Sequence, residues 1–406
     1  MRNADIKILK RKSTTGVVAL TSRTFILQII AFVSTALLTW FLSPSVFGVF
    51  YVVSAIIAFL GYFSDIGLAA ALVQKKDPVT EDDLRTTFTI QQILVGSAVA
   101  LTFLLSPIVS RFYGLNTDGT WLLRALALSF FLSSLKTIPS IILERGLEFQ
   151  KLVIPQILET LGFYMTALIL ASTGFGIMSF TWAVVVRGVI GLVAIYWIAP
   201  WKMSIGFSQA SAKKLLRFGV PFQLNAFLAL LKDDLLTVFL GKILPFEQVG
   251  YIGWAKKWAE VPLRLIMDNV IRITFPAFSR LQEDIKILGR LLEKTLFGLA
   301  FSMFPLSVGL LFFMRPLISF LPKYAKWEPA LFSFYLFVIA SVLSGLSTPL
   351  TNVLNALGLV RTTFMLMLLW TALTWVLTVV LVQLIGFNGV ALSLLLITVT
   401  IILVVH

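Results

Sequence analysis

The sequence predicts an all-α protein that crosses a membrane about a dozen times. Three observations carry that prediction. Of 406 residues, 58% are hydrophobic and only 13% charged, where soluble domains carry about a quarter charged residues. The mean hydropathy is +0.96. Apolar runs close to the ~20 residues needed to cross the hydrocarbon core recur along the whole chain. Backbone that faces lipid must satisfy its own hydrogen bonds, so runs of this kind form helices. The alternation over about ten residues that marks a membrane β-barrel is absent.

The expected spans are residues 17–42, 45–73, 86–110, 120–143, 152–173, 178–199, 215–241, 249–275, 292–321, 330–354, 361–385 and 388–406. Short connections separate them at Ser43-Pro44-Ser45, Asp77-Pro78, Gly174-Phe175-Gly176 and Gly386-Phe387-Asn388, where Pro, Gly and Asn break helices. No connection is long enough to hold a separate catalytic domain. The stretch Met1 to Lys12 holds Arg2, Lys7, Lys10, Arg11 and Lys12. The apolar run after it is too long for a cleaved signal peptide and has no small-residue cleavage site, so it reads as a retained first helix.

Counting Lys and Arg over alternate connections places 20 of the 33 on the side of the N-terminus and six on the other. That bias predicts an even number of crossings, with both chain ends in the cytoplasm of an inner-membrane protein. It also accounts for the net charge of +14 through membrane orientation and anionic headgroups rather than nucleic acid. A weak repeat supports duplication: Leu42-x4-Phe47-Gly48 follows the first span, and Leu244-x4-Val249-Gly250 follows the seventh, 202 residues later. The basic, Trp-containing segment Trp201 to Arg217 lies between them. Two six-helix lobes, 1–205 and 206–406, around a central cavity are the expected architecture.

Chemistry is constrained by what is missing. The chain has no cysteine, and its single histidine is the final residue, His406. Thiol nucleophiles, thiolate or histidine metal sites and cofactor attachment through either are therefore excluded. Phosphate-binding loops, nucleophile elbows and ordered carboxylate pairs are also absent from the sequence. The expectation is a transporter without catalytic residues, metal or cofactor.

Ionisable residues inside spans are costly and normally face protein or a water-filled cavity. Thirteen stand out here: Arg23, Asp65, Lys136, Glu159, Arg187, Lys232, Asp233, Asp234, Lys256, Lys257, Glu260, Arg264 and Asp268. Seven are cationic and six anionic, which predicts a hydrated, partly cationic passage. Lys256, Glu260, Arg264 and Asp268 recur every four residues, so they form a charge ladder on one helix face. That ladder either pairs with itself or lines the passage. Trp254 and Trp258 beside it suit either interfacial anchoring or stacking on sugar rings. The cations Arg23, Lys136, Arg187, Lys256, Lys257 and Arg264 are the candidate contacts for an anionic headgroup; a guanidinium matches phosphate in two-point fashion. Asp65, Asp233 and Asp234 are candidates for coupling to H⁺ or Na⁺, with pairing to neighbouring cations as the alternative. Glu81, Asp82 and Asp83 read as a solvated helix start.

Three segments resemble a known family. Ser64-Asp65-Ile66-Gly67-Leu68-Ala69-Ala70-Ala71-Leu72-Val73-Gln74 is similar to the end of the second helix in polysaccharide flippases. Leu143-Glu144-Arg145-Gly146-Leu147-Glu148-Phe149-Gln150-Lys151 resembles the loop after their fourth helix. Phe275-Pro276-Ala277-Phe278-Ser279-Arg280-Leu281-Gln282-Glu283-Asp284 resembles the segment after their eighth. These proteins form the polysaccharide transporter branch of the MOP (multidrug/oligosaccharidyl-lipid/polysaccharide) superfamily, which includes the MATE transporters. The resemblance implies a flippase for undecaprenyl-diphosphate-linked oligosaccharide units, serving surface polysaccharide synthesis by alternating access of two lobes. It implies membrane lipids, a polysaccharide polymerase and export machinery as partners. The chain ends with its last apolar run where relatives commonly continue, which leaves the final helix count open. The alternatives are a cation-coupled multidrug exporter of the same superfamily, whose cavity should be net acidic, and an integral-membrane glycosyltransferase or polymerase, which should carry a large outer loop.

Overall fold

The computed structural model describes residues 24–405, without the side chains at 64–65, 224–226, 228–229, 268–269, 272–273, 360 and 405. Among the described residues the protein is all α. The helices are α1 (Thr24–Phe41), α2 (Pro44–Asp65), α3 (Leu68–Gln74), α4 (Glu81–Tyr113), α5 (Thr117–Ser134), α6 (Thr137–Arg145), α7 (Phe149–Ser172) and α8 (Met178–Ile198), then α9 (Gln209–Ile243), α10 (Phe246–Ala259), α11 (Val261–Arg280), α12 (Ile285–Phe320), α13 (Leu331–Ala356), α14 (Val360–Ile385) and α15 (Asn388–Val405). A 3₁₀ segment, Pro322–Ala330, joins α12 to α13.

Fifteen helices thus fill the twelve expected spans. Eight are long and apolar enough to cross a membrane alone, and the bent pair α5–α6 makes a ninth. The others are the short α3, α9, which holds Lys232-Asp233-Asp234, the charged pair α10–α11, and the short apolar α15.

Three spans expected to be continuous are broken. Span 45–73 divides into α2 and α3 at Ile66 and Gly67, both left-handed, with φ of 47° and 72°. Glycine is required at 67 on a second count: a Cβ there would overlap the Gly219 carbonyl of α9. Span 120–143 bends by 40° between α5 and α6. Span 249–275 breaks at Glu260, and Pro262 sits in the first turn of α11. Proline has no N–H to continue the ladder and its ring would clash with the carbonyl four residues back, whereas a first turn accepts it.

The chain forms two compact units. The first comprises residues 1–42 and 49–242, and the second 43–48 and 243–406. In the first, α8 packs against α7 and α5, with α4 on α5. The long helix α9 belongs to this unit. In the second, α13 is central and touches α10, α11, α12 and α15. Its aromatic core stacks Trp254 on Trp327, ring centroids 5.2 Å apart, with Phe47 edge-on to Trp327 at 5.4 Å. Trp254 and Trp258 are only 1% and 6% exposed, which corrects their reading as interfacial anchors: both rings pack inside the protein.

The weak repeat has a structural meaning. Within the second unit, a Cβ on Gly48 would overlap the Phe246 carbonyl, and a Cβ on Gly250 would overlap the Pro44 carbonyl. The repeat-related glycines therefore make reciprocal close approaches where α2 and α10 begin.

Candidate functional site

The charged residues within the spans gather into separate clusters. In the first unit, Lys136 Nζ lies 2.6 Å from Glu159 Oε1, and Arg187 Nε lies 3.8 Å from Glu159 Oε2. The local backbone explains how the acid comes so deep. Gly191 of α8 leaves the space that the Glu159 carboxylate occupies, and any Cβ there would collide with it. Lys136 stands at the α5–α6 bend, where helix breaking frees polar backbone that must find new partners. One backbone carbonyl of the bend has such a partner, and two flanking side chains are also bonded. Tyr196 OH donates to the Leu135 carbonyl at 3.0 Å, Gln92 Nε2 to Ser134 Oγ at 3.2 Å and Gln91 Nε2 to Thr137 Oγ1 at 3.0 Å. Two cations share one carboxylate, and Arg187 is 55% exposed, so the cluster retains positive charge with a free guanidinium face.

In the second unit the Glu260 carboxylate sits at the α10–α11 break. Its Oε2 accepts from Arg264 Nη2 at 2.7 Å and Nε at 3.2 Å, and Lys256 Nζ lies 4.0 Å from Oε1. The ladder therefore pairs as its spacing predicts for three members, but across a helix break rather than along one helix. Asp268 has no described side chain. Lys257 is half-buried and within electrostatic reach of Arg264, a like charge. Two cations thus meet one acid, with Lys257 near the second of them.

The remaining candidates divide. Lys232 and Asp233 form an ion pair at 3.4 Å, Asp234 is half-buried beside them, and Thr237 donates to the Asp233 carbonyl at 2.8 Å. Arg23 lies outside the described residues, as does the side chain of Asp65.

A further polar assembly joins two of the quoted segments at the basic end of the first unit. Arg145 donates from Nη1 to the carbonyls of Leu72 at 2.6 Å and Lys75 at 2.8 Å. It thereby satisfies the open C-terminal carbonyls of α3. Lys75 pairs with Asp83, which also completes a capping box with Thr80 at the start of α4. Asp83 is buried, so of the three acids read as a solvated helix start only Glu81 and Asp82 face solvent. Lys214 of α9 lies 2.6 Å from Asp77 and holds that carboxyl below the usual carboxylate range. In the third segment, Phe278 is buried against Leu288 and Ala356, and Asp284 Oδ1 accepts from the Ile287 N–H at 3.0 Å to cap α12.

The polar partners at the α5–α6 bend were not singled out from sequence. Gln91, Gln92 and Tyr196 are uncharged and widely spaced along the chain, and only the bend gives them a common target.

A model of the family described as polysaccharide biosynthesis protein matches residues 37–332. The chain belongs to that family. It is similar to the lipopolysaccharide biosynthesis protein WzxC of Escherichia coli (strain K12), 24% identical over 96% of this chain and 79% of that protein. It is also 24% identical to the succinoglycan biosynthesis transport protein ExoT of Rhizobium meliloti (strain 1021), over 70% of this chain and 54% of the relative. The lipid II flippase MurJ in an inward closed conformation superposes with a TM-score of 0.77 at 16% identity, covering 95% of this chain and 86% of its own. An inward-facing MATE transporter of the MOP superfamily gives 0.72 at 14% identity, covering 96% and 97%. The fold is thus that of the MOP superfamily, and the chain is a multi-pass membrane protein of the polysaccharide biosynthesis family.

Proposed function

We propose that the chain is a flippase for polyprenyl-diphosphate-linked oligosaccharide units, undecaprenyl-linked in the simplest case, working by alternating access in the inner membrane with its N-terminus cytoplasmic. The observation that carries this reading is the surplus of cations over acids in both membrane-embedded clusters. Lys136 and Arg187 meet Glu159, and Lys256 and Arg264 meet Glu260. Charge buried at this depth costs several kcal/mol per group, on the order of 3 kcal/mol on insertion scales. Its retention makes sense where a negatively charged diphosphate must leave water. The names of the relatives, which refer to lipopolysaccharide and succinoglycan synthesis, support the same substrate class.

In this reading Arg23, Lys136, Arg187, Lys256, Lys257 and Arg264 contact the headgroup in turn while the polyprenyl tail stays in lipid. No bond is made or broken, because the task is to lower the barrier to a charged head crossing hydrocarbon. Asp65, Asp233 and Asp234 are the proposed sites for H⁺ or Na⁺ coupling. A polysaccharide polymerase and export machinery are the proposed partners downstream.

The test is reconstitution. Purified protein in proteoliposomes should move a polyprenyl-diphosphate oligosaccharide from inner to outer leaflet, read by access of an external glycosidase, with and without an ion gradient. Arg23→Ala and Arg264→Ala should each slow transfer. Wild-type vesicles no faster than protein-free ones would refute the reading, and unchanged rates in a folded variant would remove that arginine from the path.

A further inference from the structure

The segment between α8 and α9, residues 199–208, is not helical; it bonds to the start of α4, and exposure alternates along residues 203–208. Two of its amides are held by threonine hydroxyls on one face of α4. Gly206 N–H donates to Thr89 Oγ1 at 3.0 Å, and Ser208 N–H donates to Thr86 Oγ1 at 2.9 Å. Trp201 fixes the other end, its ring 5.1 Å from that of Phe88. At Gly206 the fit is close: a Cβ would come within 3.3 Å of the Arg85 side chain.

Alternation along an extended chain sends successive side chains to opposite faces. Here the residues against the protein, Ser204, Gly206 and Ser208, are small. Those facing away are large and apolar: Met203, Ile205 and Phe207 are 46%, 85% and 66% exposed. An extended strand on a water-facing surface shows the opposite order, apolar inward and polar outward. A contiguous exposed apolar row marks an interaction surface.

The position of the row and the charge around it point to what covers it. It lies between the last turn of α8 and the first turn of α9, two helices that read as membrane spans, so it emerges at the bilayer boundary. Trp197 of α8 is exposed just before it, as is usual at the headgroup level. Lys202, Lys213 and Arg217 are exposed, with no ion pair among the described residues, and the last two share one face of α9. Apolar side chains flanked by free Lys and Arg suit the zone where acyl chains meet anionic headgroups.

We infer that residues 201–208 form an interfacial strap, which inserts Met203, Ile205 and Phe207 into the leaflet surface while Lys202, Lys213 and Arg217 engage anionic phospholipid headgroups. The strap links the two halves of the sequence, so it anchors α4 and the start of α9 to the bilayer whatever the substrate.

The absence of cysteine makes the test direct. Single variants Ile205→Cys, Phe207→Cys and, as a solvent-facing control, Asp82→Cys are labelled with an environment-sensitive fluorophore and reconstituted at one protein per vesicle. Labels at 205 and 207 should be quenched by phosphatidylcholine spin-labelled high on the acyl chain. They should also be several-fold less accessible to aqueous acrylamide than the label at 82. Adding phosphatidylglycerol should increase this protection, and Lys213→Gln with Arg217→Gln should abolish the increase. Acrylamide access equal to that at position 82, without quenching by spin-labelled lipid, overturns the strap. Protection that arises only when several proteins share a vesicle assigns the row to a second copy and also overturns it. Indifference to phosphatidylglycerol overturns the headgroup contacts.

Discussion

Arg145 shows how a single side chain ties two recognisable sequence segments into one structure. Its guanidinium caps the last turn of α3 through Nη1 and reaches the Asp77 carbonyl through Nη2, a fork that lysine cannot reproduce. Arg145→Lys and Arg145→Ala should both lower stability by roughly 2 kcal/mol, the scale of hydrogen bonds to a charged donor, measured as thermal unfolding in detergent. An unchanged lysine variant would show that charge alone suffices there. Lys136 and Glu159 make a stricter case. Removing either partner leaves a buried charge, for which about 3–5 kcal/mol is typical, whereas replacing both is often nearly neutral. Lys136→Met and Glu159→Gln should therefore each destabilise strongly, and the double variant less than either, with Arg187 free to turn to solvent. At this scale the sequence shows which residues are ionisable and membrane-embedded, because composition and spacing display it. It does not show partners across helices. Trp254 and Trp258 illustrate the limit: a tryptophan near a span end suits an interface as well as a core, and only the stack on Trp327 decides.

The order and approximate placing of the spans were legible because about 20 apolar residues leave little choice in a bilayer. Their breaks were not. Ile66-Gly67 and Leu135-Lys136 interrupt runs that are largely apolar on both sides, so hydropathy passes over them, and Glu260 reads as one rung of a continuous charge ladder. Proline and glycine were visible there, but both also occur inside intact membrane helices. Gly48 and Gly250 are the reverse case, since a repeat too short to stand alone is explained by their reciprocal contact with the Phe246 and Pro44 carbonyls. Gly48→Ala or Gly250→Ala must push α2 and α10 apart, with a typical overpacking cost of about 1–3 kcal/mol. The two substitutions act on one seam, so their combined effect on the unfolding temperature should be less than additive. Strict additivity would show that the two contacts are independent.

At the scale of the whole molecule, the MOP superfamily fold and the excess of positive charge within the spans combine into one account. In the proposed function, helical spans supply the barrier and cations within them lower it for a diphosphate. Charge clusters of this kind are legible in sequence as a list of residues, while their division into a Glu159 group and a Glu260 group is a property of the folded chain. A carrier of cationic drugs should have the opposite balance, with acids in excess. The measurement that tests the central claim most directly compares two cargoes in the same proteoliposomes: a polyprenyl-diphosphate oligosaccharide and its uncharged polyprenyl glycoside analogue, in wild type and in a folded Lys257→Met/Arg264→Met variant. The account predicts that wild type moves the diphosphate faster and that the variant loses this preference. Equal rates for the two cargoes in wild type, or a preference untouched by the substitutions, would contradict it.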